Sequence, residues 1–239
     1  MNLSDKIKSH LIEEIKKIFK NNLISIIIYG SYARGDFVKG KSDINILIVR
    51  KKRDNKELKA LHKIIKKWKY RINIDIPLVL TEQEIKTSTD VYPMEYYDIK
   101  EHNIVLYGKD VFKNLKIANK NLRLELENQV KSNVIRLRRH YSVTQSKHSI
   151  KKVLLLSIPV FNVVIDNILR LTSQKNSNNK IKDCEKKTKI KLSIISDIEN
   201  LKKTGLPKSK KDLLNMFETL IITFEKLSDY IDKFKIKKG

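Results

Sequence analysis

At 239 residues the chain can hold one large domain or two small ones, and either can bury a core. Its formal charge of +24 is extreme, but lysine supplies 42 of the 51 basic residues and arginine only nine. With abundant Ile and Asn, that is the usage an AT-rich coding sequence produces whatever the function, so a polyanionic partner is allowed but not required. Cys184 is the only cysteine, which excludes an intramolecular disulfide and suits a reducing compartment.

Leu3, Ile7, Leu11, Ile15, Ile18 and Phe19 recur at helical spacing and predict a first helix to about Lys20. This amphipathic start lacks the uninterrupted apolar core of a signal peptide, so a cytoplasmic protein is expected. LISIIIY, from Leu23 to Tyr29, is a β-branched run between Asn-Asn and Gly and reads as a buried strand. INILIV, Ile44 to Val49, reads as a second. Asp54 can cap a helix whose core face is Leu58, Leu61, Ile65 and Trp68. RINIDIPLVL, Arg71 to Leu80, reads as a third strand, with Pro77 marking an edge or its far end. IVLYG, Ile104 to Gly108, is a short fourth.

From about Asn114 the pattern is helical throughout, at roughly 115–143, 147–173, 179–203 and 209–235, with polar turns between the last three. The stretch from Val153 to Leu169 contains Ser157, Pro159, Asn162, Asp166 and Asn167. It is expected to be a buried helix kinked at Pro159, too short and too polar to span a bilayer. The whole pattern predicts an α+β fold: a small mixed sheet with helices over residues 1–112, then an all-α bundle over 113–239.

The chemistry is concentrated in YGSYARGDFVKGKSDIN, Tyr29 to Asn45. Gly30 lets the backbone approach a ligand closely, and the Ser31 hydroxyl can hold phosphate oxygens. Strand alternation puts Asp43 and Asn45 on one face, with Ile44 and Ile46 on the other. Asp75 can reach that face from the neighbouring strand. A phosphate grip beside hard oxygen ligands is what divalent-metal phosphoryl or nucleotidyl transfer needs. Arg34 is read either as a phosphate contact or as an anchor for its own turn.

The strand, Gly-Ser turn, spacing and second strand, including Ala-Arg-Gly after the serine, resemble the nucleotidyltransferase superfamily typified by DNA polymerase beta. The likeness is to its minimal and aminoglycoside-nucleotidyltransferase-like branches, over about Leu23 to Leu80. The resemblance implies that Gly30 and Ser31 meet the phosphates of a nucleoside triphosphate, with Arg34 as a further candidate contact. It implies that Asp43, Asn45 and Asp75 hold Mg²⁺ or Mn²⁺, with Asp43 and Asp75 as the catalytic acids. NMP would pass to a hydroxyl acceptor, which could be a small molecule, a protein side chain or a nucleic-acid end.

Asn45 departs from the family pattern, which has an acid there. An amide oxygen is neutral and cannot bridge two ions as a carboxylate does. A slow enzyme, an enzyme recruiting Asp36, Glu95 or Asp98, and a catalytically silent nucleotide- or nucleic-acid-binding protein all remain open. So do an antitoxin-like partner of a toxin and a homodimer. RLRRHY, Arg136 to Tyr141, is the densest arginine cluster and is either a solvated face or an anion contact. The five histidines show no metal-ligand spacing.

Overall fold

The structure is a computed structural model that describes residues 5–38, 40, 42–144, 146–173, 179–204 and 209–236, with the side chains of residues 5–8 left out. Leu3 and the side chain of Ile7 therefore lie outside the described residues. The chain divides into two compact units, Met1–Ala118 and Asn119–Gly239. The division falls after the 112/113 boundary suggested by the sequence, because Phe112 and Leu115 are buried in the core of the first unit.

The first unit is built on four strands: β1 (Leu23–Tyr29), β2 (Asn45–Arg50), β3 (Leu78–Thr81) and β4 (Asn103–Gly108), in the order β3-β2-β1-β4. β1 is antiparallel to both β2 and β4, whereas β2 and β3 run parallel. The sheet is mixed, as the sequence suggests. Both faces of the central strands are apolar, which explains why their sequences run as unbroken Ile, Leu and Val rather than alternating. On one face Ile26, Ile28, Ile46 and Ile48 pack against α1 (Asp5–Phe19) and α3 (Asn55–Ile72) through Leu11, Ile15, Phe19, Leu61 and Trp68. On the other, Ile27, Leu47 and Val49 pack against α4 (Glu82–Thr87), α5 (Pro93–Glu101) and the segment bearing Phe112 and Leu115.

Three expectations need correction. Asp54 does cap α3, accepting a hydrogen bond from the Lys56 N–H, but Leu58 is 41% exposed and Glu57 takes the buried position. The Glu57 carboxylate accepts from Arg50 at 3.2 Å and from Asn22 at 2.7 Å, which accounts for an acid on the core side. The segment from Arg71 to Leu80 is not one strand: α3 runs on to Ile72 and stops at Asn73, which adopts a left-handed conformation, φ 54°. Only an isolated bridge at Ile74 and then β3 after Pro77 pair with the sheet. α4 is an additional helix, opened by a capping box in which Thr81 and Glu84 satisfy each other's backbone N–H groups.

β4 is registered on β1 by Ser25, a buried strand residue whose hydroxyl meets the carbonyls of Tyr107 at 2.9 Å and Lys109 at 2.8 Å. At the end of β4 only glycine fits, since a Cβ on Gly108 would stand 1.9 Å from the Ile24 carbonyl oxygen.

The second unit is helical: α6 (Asn119–Val143), α7 (Lys147–Leu171), α8 (Lys180–Thr188), α9 (Ser193–Thr204) and α10 (Lys210–Lys233). The helix expected over 179–203 is two helices, because α8 ends at Lys189 in a left-handed conformation, φ 61°. α6, α7 and α10 share a core in which Phe161 and Phe224 stack with ring centroids 4.3 Å apart. α7 runs through Pro159 and, contrary to the sequence expectation, is long and apolar enough by length and composition to cross a membrane. In this structure Leu154, Phe161, Val164, Ile165 and Ile168 of α7 are buried in the helical unit. Cys184 is buried on α8, and burial pushes its thiol up to about 12.

Candidate active site

The Gly-Ser turn is set by strand β1 ending at Tyr29. Gly30 follows with φ 73° and ψ −149°, a conformation essentially restricted to glycine, and Ser31 opens the four-residue helix α2 (Ser31–Arg34). The turn is closed by hydrogen bonds from the Arg34 and Asp36 N–H groups to the Gly30 and Ser31 carbonyls, at 3.0 and 3.1 Å. Space is tight there too: a Cβ on Gly30 would stand 2.6 Å from Asn45 Nδ2, so the Asn45 side chain would have to move. The glycine of the phosphate turn and the asparagine of the second strand are therefore in direct contact.

Register explains that contact. Tyr29 pairs with Asn45 across the β1–β2 ladder and with Asn103 across β1–β4. The isolated parallel bridge pairs Ile44 with Ile74, fixed by Ile44 N–H to the Asn73 carbonyl at 2.9 Å and Asp75 N–H to the Ile44 carbonyl at 3.1 Å. Ile44 and Ile74 are both buried in the core with α1 and α3. Their flanking residues, Asp43 and Asn45 on one segment and Asn73 and Asp75 on the other, consequently share the opposite face. The structure thus places Asp43, Asn45 and Asp75 together at one end of the sheet beside the Gly30–Ser31 turn. Asp75 is carried by the short bridge segment rather than by a strand.

The acids there differ in how they are held. Asp43 is exposed, and its carboxylate accepts from Asn73 Nδ2 at 2.5 Å; the same amide also donates to the Ser42 carbonyl at 3.1 Å. Asp75 Oδ1 accepts from the Ile76 N–H at 2.7 Å. Arg34 binds Asp98 of α5 at 2.6 Å and Asp36 at 3.4 Å, so its guanidinium ties the turn to α5. That engagement also occupies Asp36 and Asp98, two of the three substitute acids.

Glu95 is the third. It stands three residues before Asp98 on one helical face. Partial burial, and then the like charge of Asp98, push its carboxyl above the ordinary carboxylate range. Burial, with the charges of Glu95 and then Asp75 adding to it, pushes the Tyr29 hydroxyl up to about 12. Asp98 meets Arg34 of the turn at 2.6 Å and Glu95 lies one helical turn before it, so α5 brings Glu95 to the same end of the sheet.

By type, two carboxylates and an amide oxygen suit a hard cation such as Mg²⁺. Among the described residues, however, no three of His, Cys, Asp and Glu stand close enough to hold a metal ion. The donors fit one weakly held ion better than the pair of ions that a bridging acid at position 45 would support. Asn73 was missed by the sequence reading, although an asparagine just past a helix is a recognisable left-handed C-terminal signal.

The model of the nucleotidyltransferase domain matches residues 9–106. The chain is 30% identical over 111 residues to a relative provisionally named protein adenylyltransferase MJ1305, from Methanocaldococcus jannaschii, across 45% of this chain and 74% of that protein. The chain belongs to the nucleotidyltransferase family. A second relative of this nucleotidyltransferase from the same organism, provisionally named protein adenylyltransferase MJ0141, is 36% identical over 83 residues, covering 33% of this chain and 83% of its own. Among solved structures, spectinomycin adenyltransferase AAD(9) from Enterococcus faecialis, crystallised with ATP and spectinomycin, aligns with a TM-score of 0.48 and 16% identity. The alignment covers 95% of this chain and 98% of that one.

Proposed function

We propose that this nucleotidyltransferase moves AMP from Mg·ATP to a hydroxyl on a protein acceptor. The observation that carries the reading is the convergence of Asp43, Asn45 and Asp75 on one sheet face, with Asn45 seated against the glycine of the Gly30–Ser31 turn. The choice of donor and acceptor follows the names of the two relatives, both protein adenylyltransferases.

Gly30 admits the phosphates close to the backbone, and the Ser31 hydroxyl donates to a phosphate oxygen. Asp43, Asn45 and Asp75 would hold the divalent ion, which when bound supplies positive charge at the reacting phosphate. Asn73 fixes the Asp43 carboxylate through its 2.5 Å hydrogen bond. Arg34 positions α5 rather than the phosphates, through Asp98. Glu95 in its ionised form, made a stronger base than a free carboxylate by its raised pKa, takes the proton of the acceptor hydroxyl.

A second reading, a nucleotide-binding protein with little or no turnover, is favoured by the neutral Asn45 and by the absence of a three-acid cluster among the described residues. The two part in one assay. Purified protein is incubated with radiolabelled ATP, Mg²⁺ or Mn²⁺ and a host-cell protein extract, alongside Asp43→Ala and Asn45→Asp. Label on protein that is lost with Asp43→Ala supports transfer. Labelling gained only with Asn45→Asp, or Mg·ATP binding with no labelling in any variant, supports the silent reading.

A further inference from the structure

Between the C-terminal half of α6 and the N-terminal half of α7 lies a cavity of about 560 Å³. Arg136 and His140 reach it from α6, His148 and Lys152 from α7, and none of its lining residues is acidic. Some cations of this unit do have acidic partners: Arg123 and Lys131 meet Glu127, Lys131 also meets Asp232, and Arg138 meets Glu225. Arg136 spends one N–H on Asn133 at 2.6 Å, and neither it nor Lys152 makes an ion pair among the described residues. The cavity wall is apolar. Of the leucines lining it, Leu137 is buried and Leu156 is 62% exposed.

We propose that this cavity binds a small organic phosphate, its anionic group held by Arg136, His140, His148 and Lys152 and its apolar body laid against Leu156. Cations without acids select an anion, and donors on two helices can surround a tetrahedral oxyanion. The volume lies within the range of small-molecule sites, and the leucine wall supplies the apolar surface such sites use. A polycation is repelled by the same residues. The inference is independent of the nucleotide site.

The test uses the full-length protein and 1-naphthyl phosphate, read through the ring C–H NMR signals of the five histidines. Inorganic phosphate, 1-naphthol and a single-stranded RNA oligonucleotide serve as comparators. The expected result is movement of the His140 and His148 signals, with His10, His62 and His102 unmoved, and binding at least about tenfold tighter than either fragment alone. The Arg136→Ala, Lys152→Ala double variant should weaken binding about tenfold or more. Leu156→Glu, at an exposed position that folding does not need, should do the same. Asp43→Ala should leave it unchanged. The proposal is overturned if only the other three histidines respond, if inorganic phosphate binds as tightly, or if RNA displaces the probe at lower concentration.

Discussion

The two ends of strand β2 carry similar amounts of polar chemistry and treat it in opposite ways. At the C-terminal end Arg50 and Glu57 are buried and joined at 3.2 Å. Arg50 also donates to the Asp54 carbonyl at 2.8 Å, and Asn22 links Glu57 to the Lys52 backbone. At the N-terminal end Asp43 is exposed, the Asp75 carboxylate accepts from its neighbour's N–H, and Asn45 rests on Gly30. Charges consumed within the protein hold the fold; charges kept accessible at a strand end are available to a ligand. The same strand does both because its apolar middle, Ile46 to Val49, is locked between two helical layers.

Substitutions at the two ends should therefore have opposite effects. Asp43→Ala should cut transfer by about 1,000-fold or more, about 4 kcal/mol of barrier, while moving unfolding free energy by less than about 0.5 kcal/mol. A large stability loss in urea titrations would show that Asp43 is structural. Glu57→Ala should do the reverse, costing about 3–5 kcal/mol because it strands a buried guanidinium. Ordinary stability in that variant would mean Arg50 finds water. Gly30→Ala joins both ends of the argument: backbone strain of about 1–3 kcal/mol comes with displacement of Asn45, so stability and ATP affinity should fall together.

Asn73→Gly is finer, since glycine keeps the left-handed turn and removes only the side-chain hydrogen bonds to Asp43 and the Ser42 carbonyl. Turnover should drop about five- to tenfold, near 1 kcal/mol, with the melting temperature nearly unchanged; an unaltered rate would remove Asn73 from the site. The smallest effect concerns Glu95. Its folded-state pKa is raised, so its contribution to stability is present at acid pH and lost as pH rises through that pKa. Glu95→Gln should therefore gain stability near neutrality and none in acid. In the native enzyme the acid limb of activity should lie above the ordinary carboxylate range and move down in Asp98→Asn.

The sheet was legible wherever burial on both faces left an unbroken β-branched run, as in Leu23–Tyr29 and the segment beginning at Ile44. The Gly30–Ser31 turn was legible because glycine and spacing travel together. Asp75 is expected on a continuous strand but sits beside an isolated bridge. The alternation of Ile72, Ile74 and Ile76 imitates a strand, but one left-handed residue, Asn73, ends α3 inside that pattern. The break at Lys189 was hidden in the same way, with neither glycine nor proline to mark it. Leu58 and Glu57 exchanged expected roles because periodicity counts apolar residues and is blind to an acid whose partner lies on another element. Thr81 and Glu84 did spell a capping box in TEQE, a signal present and passed over.

The chain has a single tryptophan and a single cysteine, and they fall in different units. Trp68 is buried in the sheet unit with its indole N–H on Glu14 at 2.7 Å, and Cys184 is buried in the helical unit with its thiol pushed up to about 12. Indole emission therefore reports the opening of one half of the molecule. Thiol alkylation, blocked until α8 comes loose, reports the opening of the other. Whether the two halves melt as one cooperative body can be read from the unmodified protein, with no label introduced.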